Sequence, residues 1–346
     1  MAYTTINKSS LNFNTKLYTG TGSSNAVTGV GFQPDLVWLK KRSATDNNYL
    51  FDVVRGVTKY IRSNLNNVEA TDSGSLSAFG SDGFTVVSEG DINANNATMA
   101  SWNWKAGNSQ GSSNTAGSIN TAYTSVNTTA GFSISKYTGT GSAGATVGHG
   151  LGVAPKMIIV KGLTYADVWI VGGDNLGGWN KEMYLNSTSA VATNNNAFNG
   201  VAPTSSVFTL GSGNGANKSG DTYIAYCFAE KTGYSKFGSY VGNGNADGPF
   251  VYTGMKPSFV MTKPLSSTGD WYMHDNKRDG YNSVNDYLKA NATDAESNND
   301  PRIDLLSNGF KFTTTHSTQN SNNVTYIYMA FGQSIVGTNN VPNNAR

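Results

Sequence analysis

One stretch most constrains what this chain can fold into: Tyr223-Ile224-Ala225-Tyr226-Cys227-Phe228-Ala229-Glu230, because it comes back twice. Towards the C-terminal end the chain reads Tyr326-Ile327-Tyr328-Met329-Ala330-Phe331-Gly332-Gln333, and near residue 100 it reads Met99-Ala100-Ser101-Trp102-Asn103-Trp104-Lys105-Ala106. Each is rich in aromatic residues and free of proline, the signature of a central β-strand. A strand that recurs with its surroundings predicts tandem repeats.

The surroundings do recur. Pro34, Pro155 and Pro257 each enter an apolar run that ends in Lys40, Lys161 or Lys263. Pro155 and Pro257, Lys161 and Lys263, and Trp169 and Trp271 are all 102 residues apart. A period near 100 residues is too long for one solenoid turn and suits a small β domain. Clean alternation in some strands, and two-sided apolar runs such as Met157 to Val160 in others, point to sandwiches rather than open sheets. The expected fold is therefore all-β, with three tandem β-sandwich-like repeats of about 100 residues. They cover residues 1–107, 132–232 and 233–333, with a Gly/Ser/Asn/Thr-rich linker at 108–131 and a polar tail at 334–346.

Two junctions carry expectations of their own. Only Lys231, Thr232 and Gly233 separate the closing strand of repeat two from the opening strand of repeat three. So short a link predicts a hairpin, with those two strands paired antiparallel. The first repeat should hang on the 108–131 linker, which has too little apolar surface to order itself. In an assembly of several subunits, a neighbouring chain would brace it.

Charge and cysteine content narrow the function. Only 13% of residues are charged, against about 25% in typical soluble proteins, and 40 glycines accompany abundant Asn, Ser and Thr. The net charge is +2 with the signs interspersed, which argues against nucleic acid as a partner. The single cysteine, Cys227, excludes a disulfide framework and should be buried and unbonded. The start of the sequence has no apolar signal core, and no 18-residue apolar run occurs, so membrane insertion is not expected.

Chemistry-bearing residues are few. His149, His274 and His316 fall at non-equivalent places without metal-ligand spacing, so no metal site is expected. Asp52, Asp174 and Asp275 lie near the end of the third strand of each repeat. Paired carboxylates hydrolyse glycosides, but these belong to separate repeats, and a turn or cap role is favoured. Lys40, Lys161 and Lys263 read as an anion contact or, preferably, as charged gatekeepers at strand ends. Trp102 and Trp104, two apart and so on one face of a strand, are the weak binding candidates. Such a pair can stack on a sugar or fill a core, and core is favoured. No nucleophile stands beside a base, so neither catalysis nor a cofactor is expected.

Several motifs together resemble a known family. They are Gln33-Pro34-Asp35-Leu36-Val37-Trp38-Leu39-Lys40, Val54-Arg55-Gly56-Val57-Thr58-Lys59, Ser81-Asp82-Gly83-Phe84 and Trp102-Asn103-Trp104-Lys105-Ala106-Gly107. Lys236-Phe237-Gly238-Ser239-Tyr240, the Tyr223 to Glu230 strand and the final Asn344-Ala345-Arg346 belong to the same pattern. The chain resembles, over nearly its whole length, a family of repeat proteins from tailed-phage genomes, many of them marine or cyanobacterial. Members are often described as tail-fibre or other virion proteins. The resemblance implies a virion location after synthesis in the host cytoplasm, and it carries over no site residue. The expectation is a virion structural protein: a tail-fibre, tail-tip or surface-decoration component acting in assembly and host-surface adhesion. Its partners would be itself, as a homo-oligomer, other virion proteins and a host-surface glycan. The alternative is a soluble glycan-binding or glycan-degrading β-sandwich protein.

Overall fold

The structure is a computed structural model that describes residues 4–299 and 302–336. It is all-β, built from antiparallel sheets, with only one-turn helices between strands. Three main sheets share one strand order. In the first, Phe13–Thr19 lies beside Thr98–Trp104, then Leu36–Lys41, Asn48–Asp52, Lys59–Arg62 and Ala70–Thr71. In the second, Phe132–Thr138 lies beside Thr222–Phe228, Met157–Gly162, Ile170–Gly173, Lys181–Tyr184 and Ala192–Thr193. In the third, Ser235–Val241 lies beside Thr325–Ser334, Met255–Pro264, Tyr272–Asp275 and Leu288–Lys289. We refer to these three groups as units 1, 2 and 3. Their registers agree: Leu36 pairs with Trp104, Met157 with Phe228 and Phe259 with Phe331, two residues after Pro34, Pro155 and Pro257 in turn.

Each main sheet is covered on one face by a small sheet. Asn25–Thr28, Gly83–Val86 and Leu76–Gly80 form it in unit 1, Thr146–Gly148 and Val207–Thr209 in unit 2, and Phe250–Tyr252, Gly309–Phe312 and Ile303–Leu306 in unit 3. The strand alternation explains the two-sided apolar runs. Ile158 and Val160 enter the core inside unit 2, while Met157 and Ile159 point the other way. In the closing strand Tyr223, Ala225 and Cys227 face the unit's own core, and Ile224, Tyr226 and Phe228 face away from it. Val260 likewise turns into unit 3, while Phe259 and Met261 turn out.

The outward faces meet. Trp102, Trp104, Tyr226, Phe228, Met329 and Phe331 lie in one core with Trp38, Ile159 and Phe259, so all three units share it. Trp104 sits among Phe13, Phe228, Phe259 and Phe331, with ring centroids 4.9–6.5 Å apart. The main sheets are therefore buried on both faces, and the three sandwiches close around an aromatic centre rather than follow one another like beads.

The hairpin expectation fails, and the first unit does not hang on a loose linker. Ser235–Val241 pairs with Thr325–Ser334, not with the closing strand of unit 2. That closing strand is already flanked by Phe132–Thr138 on one edge and Met157–Gly162 on the other, so it has no edge to offer. The 108–131 linker contains a strand, Tyr123–Asn127, paired with Phe132–Lys136. The rest of the linker is tied to the same chain. Gln110 Nε2 donates to the Val54 carbonyl at 2.8 Å, Gly107 N to Ser125 Oγ at 3.0 Å, and Ile119 N to the Thr146 carbonyl at 2.9 Å. Within the chain, backbone and hydroxyl groups of units 1 and 2 hold it. Of the polar tail, Ser334 still belongs to the last strand, and residues 337–346, with the Asn344-Ala345-Arg346 motif, lie outside the described residues.

A further threefold feature was hidden in the sequence. Asn93, Asn217 and Asn320 end the three one-turn helices, all fully buried. Each side-chain oxygen accepts from the glycine turn that follows the opening strand, from Thr21 N, Thr140 N and Asn243 N at 2.8–3.1 Å. A Cβ at the first glycine of those turns, Gly20, Gly139 or Gly242, would fall on a backbone carbonyl oxygen of the helix end. The repeated glycine turns are thus docking points for a helix turn.

Candidate functional site

The tryptophans, the lysines and two of the three aspartates that the sequence offers as chemistry are used to join the units. Trp102 and Trp104 are 0% and 2% exposed. Both belong to the shared core, so neither can stack on an external sugar. Trp102 Nε1 donates to Asp275 Oδ2 of unit 3 at 3.1 Å.

The carboxylates are not turn residues alone. Asp52 and Arg55 form a fully buried ion pair at 2.5 Å, and Tyr226 of unit 2 donates to the same Asp52 oxygen at 2.7 Å. Asp275 and Arg278 repeat this at 2.7 Å, with Trp102 of unit 1 as the donor. At the equivalent place unit 2 has Gly173 and Leu176, and the strand of unit 3 that faces them has Met329. The acid, the base and the hydrogen-bond donor are all exchanged for apolar residues or glycine together. A buried carboxylate without its base costs several kcal/mol, whereas replacing a whole buried pair by apolar side chains is close to neutral. That asymmetry accounts for a joint exchange. Asp174, next to Gly173, is exposed and bridges Lys156 at 2.6 Å.

The three lysines follow the same cyclic logic in the opposite sense. Lys40 Nζ donates to the carbonyls of Asp46 and, in unit 3, Thr293, at 2.6 and 2.9 Å. Lys161 Nζ reaches Asn66 of unit 1 at 3.1 Å, and Lys263 Nζ reaches Thr188 and Ser189 of unit 2 at 3.0 Å. All three are fully buried, which contradicts the gatekeeper reading: a gatekeeper must be solvated to repel. Burial lowers each amine to about 8, while the carbonyl acceptors favour the charged form. Trp169 and Trp271 donate to backbone carbonyls of the preceding unit, Arg62 and Leu65 for Trp169 and Tyr184 for Trp271, at 3.0–3.1 Å. Backbone bonds complete every seam: Glu69 N to Leu163 O, Val191 N to Leu265 O, and Asp46 N to Thr293 O.

The histidines are structural in position. His149 is buried, with Leu151 N donating to its Nδ1 at 3.2 Å. His316 caps the helix Ser317–Asn320. His274 is fully buried, 2.9 Å from Gln319 Nε2, and burial holds it down at about 3. It is neutral in the folded protein, while an unfolded chain titrates it near 6.5. Between those values the unfolded state binds more protons, so His274 makes stability fall as pH drops from about 6.5 towards 3. Urea midpoints between pH 7 and pH 4 should show a shallower decline for His274→Gln than for the parent protein. Among the described residues no group of three or more His, Cys, Asp or Glu side chains has metal-holding geometry. Cys227 is fully buried and unbonded, and burial pushes its thiol up.

The exposed aromatic pair lies elsewhere, in unit 3. Phe250 and Tyr252 are 47% and 57% exposed and flank the buried Val251 on a strand that ends the small sheet. The pairing of Val251 with Phe310 matches that of Val27 with Phe84 and Val147 with Phe208. The outward neighbours in units 1 and 2 are then Ala26 and Thr28, and Thr146 and Gly148. Only unit 3 places rings there. In unit 2 the same edge is also closed off by Ile119, which bridges Val147, whereas among the described residues no strand pairs with the outer edge of Phe250–Tyr252. The alternation Phe250-Val251-Tyr252 was a usable signal, overshadowed by the louder tryptophan pair.

An all-β body of three closed sandwich units, with one exposed aromatic edge and its buried lysines and Asp–Arg pairs committed to seams, is the class that this fold defines. The chain belongs to the family described as a domain of unknown function, DUF7483, whose model matches residues 8–334 and so takes in all three units. No curated protein and no solved structure matches it.

Proposed function

We propose that this protein is a structural component of a bacteriophage virion, in a tail fibre, a tail tip or a surface decoration, and that it meets a host-surface glycan through Phe250 and Tyr252. The observation that carries the reading is the pair itself: two adjacent same-face rings on an open strand edge, where the other two units have small side chains. Aromatic faces stack on the apolar faces of sugars, and a weakly charged surface rich in amides and hydroxyls suits the same partner. Among the described residues the four most exposed large apolar side chains, Tyr281, Tyr252, Val241 and Phe250, all belong to unit 3, so unit 3 is the adhesive face. The role is adhesion and assembly, without turnover.

Mass spectrometry of purified particles should find the protein in a fixed ratio to known capsid or tail proteins. Purified protein should adsorb to host cells, and the double variant Phe250→Ala, Tyr252→Ala should lose that adsorption by about tenfold or more, the equivalent of about 1.4 kcal/mol. A protein absent from particles that still binds glycan would be a free lectin instead.

A further inference from the structure

Units 1 and 3 fill one place with a cation of their own, and unit 2 does not. In unit 1 the Arg62 guanidinium lies 4.8 Å from the Tyr49 ring centre and 5.0 Å from that of Tyr60. The Tyr49 hydroxyl donates to Asp91 at 2.6 Å. In unit 3 the Lys289 ammonium lies 5.8 Å from the Tyr272 ring centre and bridges Asp270 at 3.1 Å. Register identifies the counterparts in unit 2: Tyr49 pairs with Arg62, Tyr272 with Lys289, and Ile170 with Tyr184. The cation is thus replaced by Tyr184. The helix residues Asp91 and Ile92 are replaced by Gly215 and Ala216, counted back from the equivalent Asn93 and Asn217.

These smaller residues leave a cavity of about 180 Å³ beneath the helix of unit 2, with Glu182, Asp167 and Asn194 in its wall and no lysine or arginine. Glu182 is 3% exposed. Its Oε1 accepts from Tyr184 Oη at 2.8 Å and from Asn194 Nδ2 at 2.9 Å. Its Oε2, equally buried, has no partner among the described residues. A buried carboxylate oxygen without a donor is costly, and carboxylates are seldom buried unless paired. We propose that this cavity binds the primary ammonium group of a small organic molecule, with Glu182 Oε2 as its acceptor. The ligand supplies from outside the cation that units 1 and 3 carry in their own sequence. Asp167 and the amide of Asn194 give the ammonium a polar surround, and Ile170 and Ala216 take the carbon skeleton.

The site is separate from Phe250 and Tyr252, so the double variant at those positions keeps it, and failure of the adhesion reading leaves it intact. Isothermal titration with glucosamine and with Nα-acetyl-lysine amide supplies the ammonium on a sugar and on a peptide side chain. Glucose and N-acetylglucosamine are the matched probes without a cation. At least one ammonium probe is expected to bind and both neutral sugars to fail, and the tighter of the two cations shows whether the group belongs to a glycan or a peptide. Glu182→Gln keeps the shape and removes the charge, and is expected to weaken binding at least tenfold without lowering the thermal midpoint. Should that variant unfold, Ala216→Ile restores the residue of unit 1, leaves Glu182 in place and should abolish binding by filling the cavity. Equal binding of neutral sugars, no binding of either ammonium probe at millimolar concentration, or undiminished binding in the variants overturns the proposal.

Discussion

Asp52→Ala is expected to lower the unfolding free energy by about 3–5 kcal/mol, because it takes from the buried Arg55 guanidinium its carboxylate at 2.5 Å, leaving only Glu69 at 3.6 Å, and strips Tyr226 of its acceptor. The triple exchange Asp52→Gly, Arg55→Leu, Tyr226→Met is expected to recover most of that loss. It rebuilds, between units 1 and 2, the apolar arrangement that Gly173, Leu176 and Met329 already make between units 2 and 3. Guanidinium denaturation of the parent, the single variant and the triple variant measures both effects. If the triple variant is no more stable than the single one, the three seams are not interchangeable and their alignment is wrong.

A fragment carrying unit 2 alone, residues 108–232, is expected not to form a soluble folded monomer. Cutting it out exposes one whole face of its main sheet: Phe132, Ile134, Met157, Ile159, Ile224, Tyr226 and Phe228. At about 1.5–3 kcal/mol for each large apolar side chain, the loss is on the order of 10–20 kcal/mol. A domain of this size holds only about 5–15 kcal/mol of net stability. The fragment also leaves Lys161 without its acceptor in unit 1 and Trp169 without the carbonyls of Arg62 and Leu65. Expression trials with circular dichroism and size-exclusion chromatography test this. A monomeric fragment that melts cooperatively would mean that each sandwich is self-sufficient.

The strands were legible because their signals are local. The proline entrances, the lysine exits and the aromatic closing strands keep register, and the all-β class follows from them. How the units meet was not legible, because in sequence one strand face looks like another. Ile158 and Ile159 differ by one step in the chain and end in two different cores. Trp102 and Trp104 share one face of their strand, but nothing local says whether that face meets water or two other sheets. The hairpin between units 2 and 3 failed for the same reason: a short link permits pairing, but an occupied strand edge forbids it. The joint exchange at Gly173, Leu176 and Met329 has no local signature, since its third member comes from another unit. Glu182 gave no signal either: a lone glutamate in a strand reads as solvated, and only the loss of Asp91 and Ile92 equivalents above it makes a cavity.

The claim that three sandwiches close around one core is tested most directly by scanning calorimetry of the whole chain. A single transition is predicted, with a calorimetric enthalpy equal to the van't Hoff enthalpy, because no unit can leave without exposing Trp104 and its partners. Two or three resolved transitions, or a calorimetric enthalpy several times the van't Hoff value, would contradict it and return the molecule to a string of independent domains.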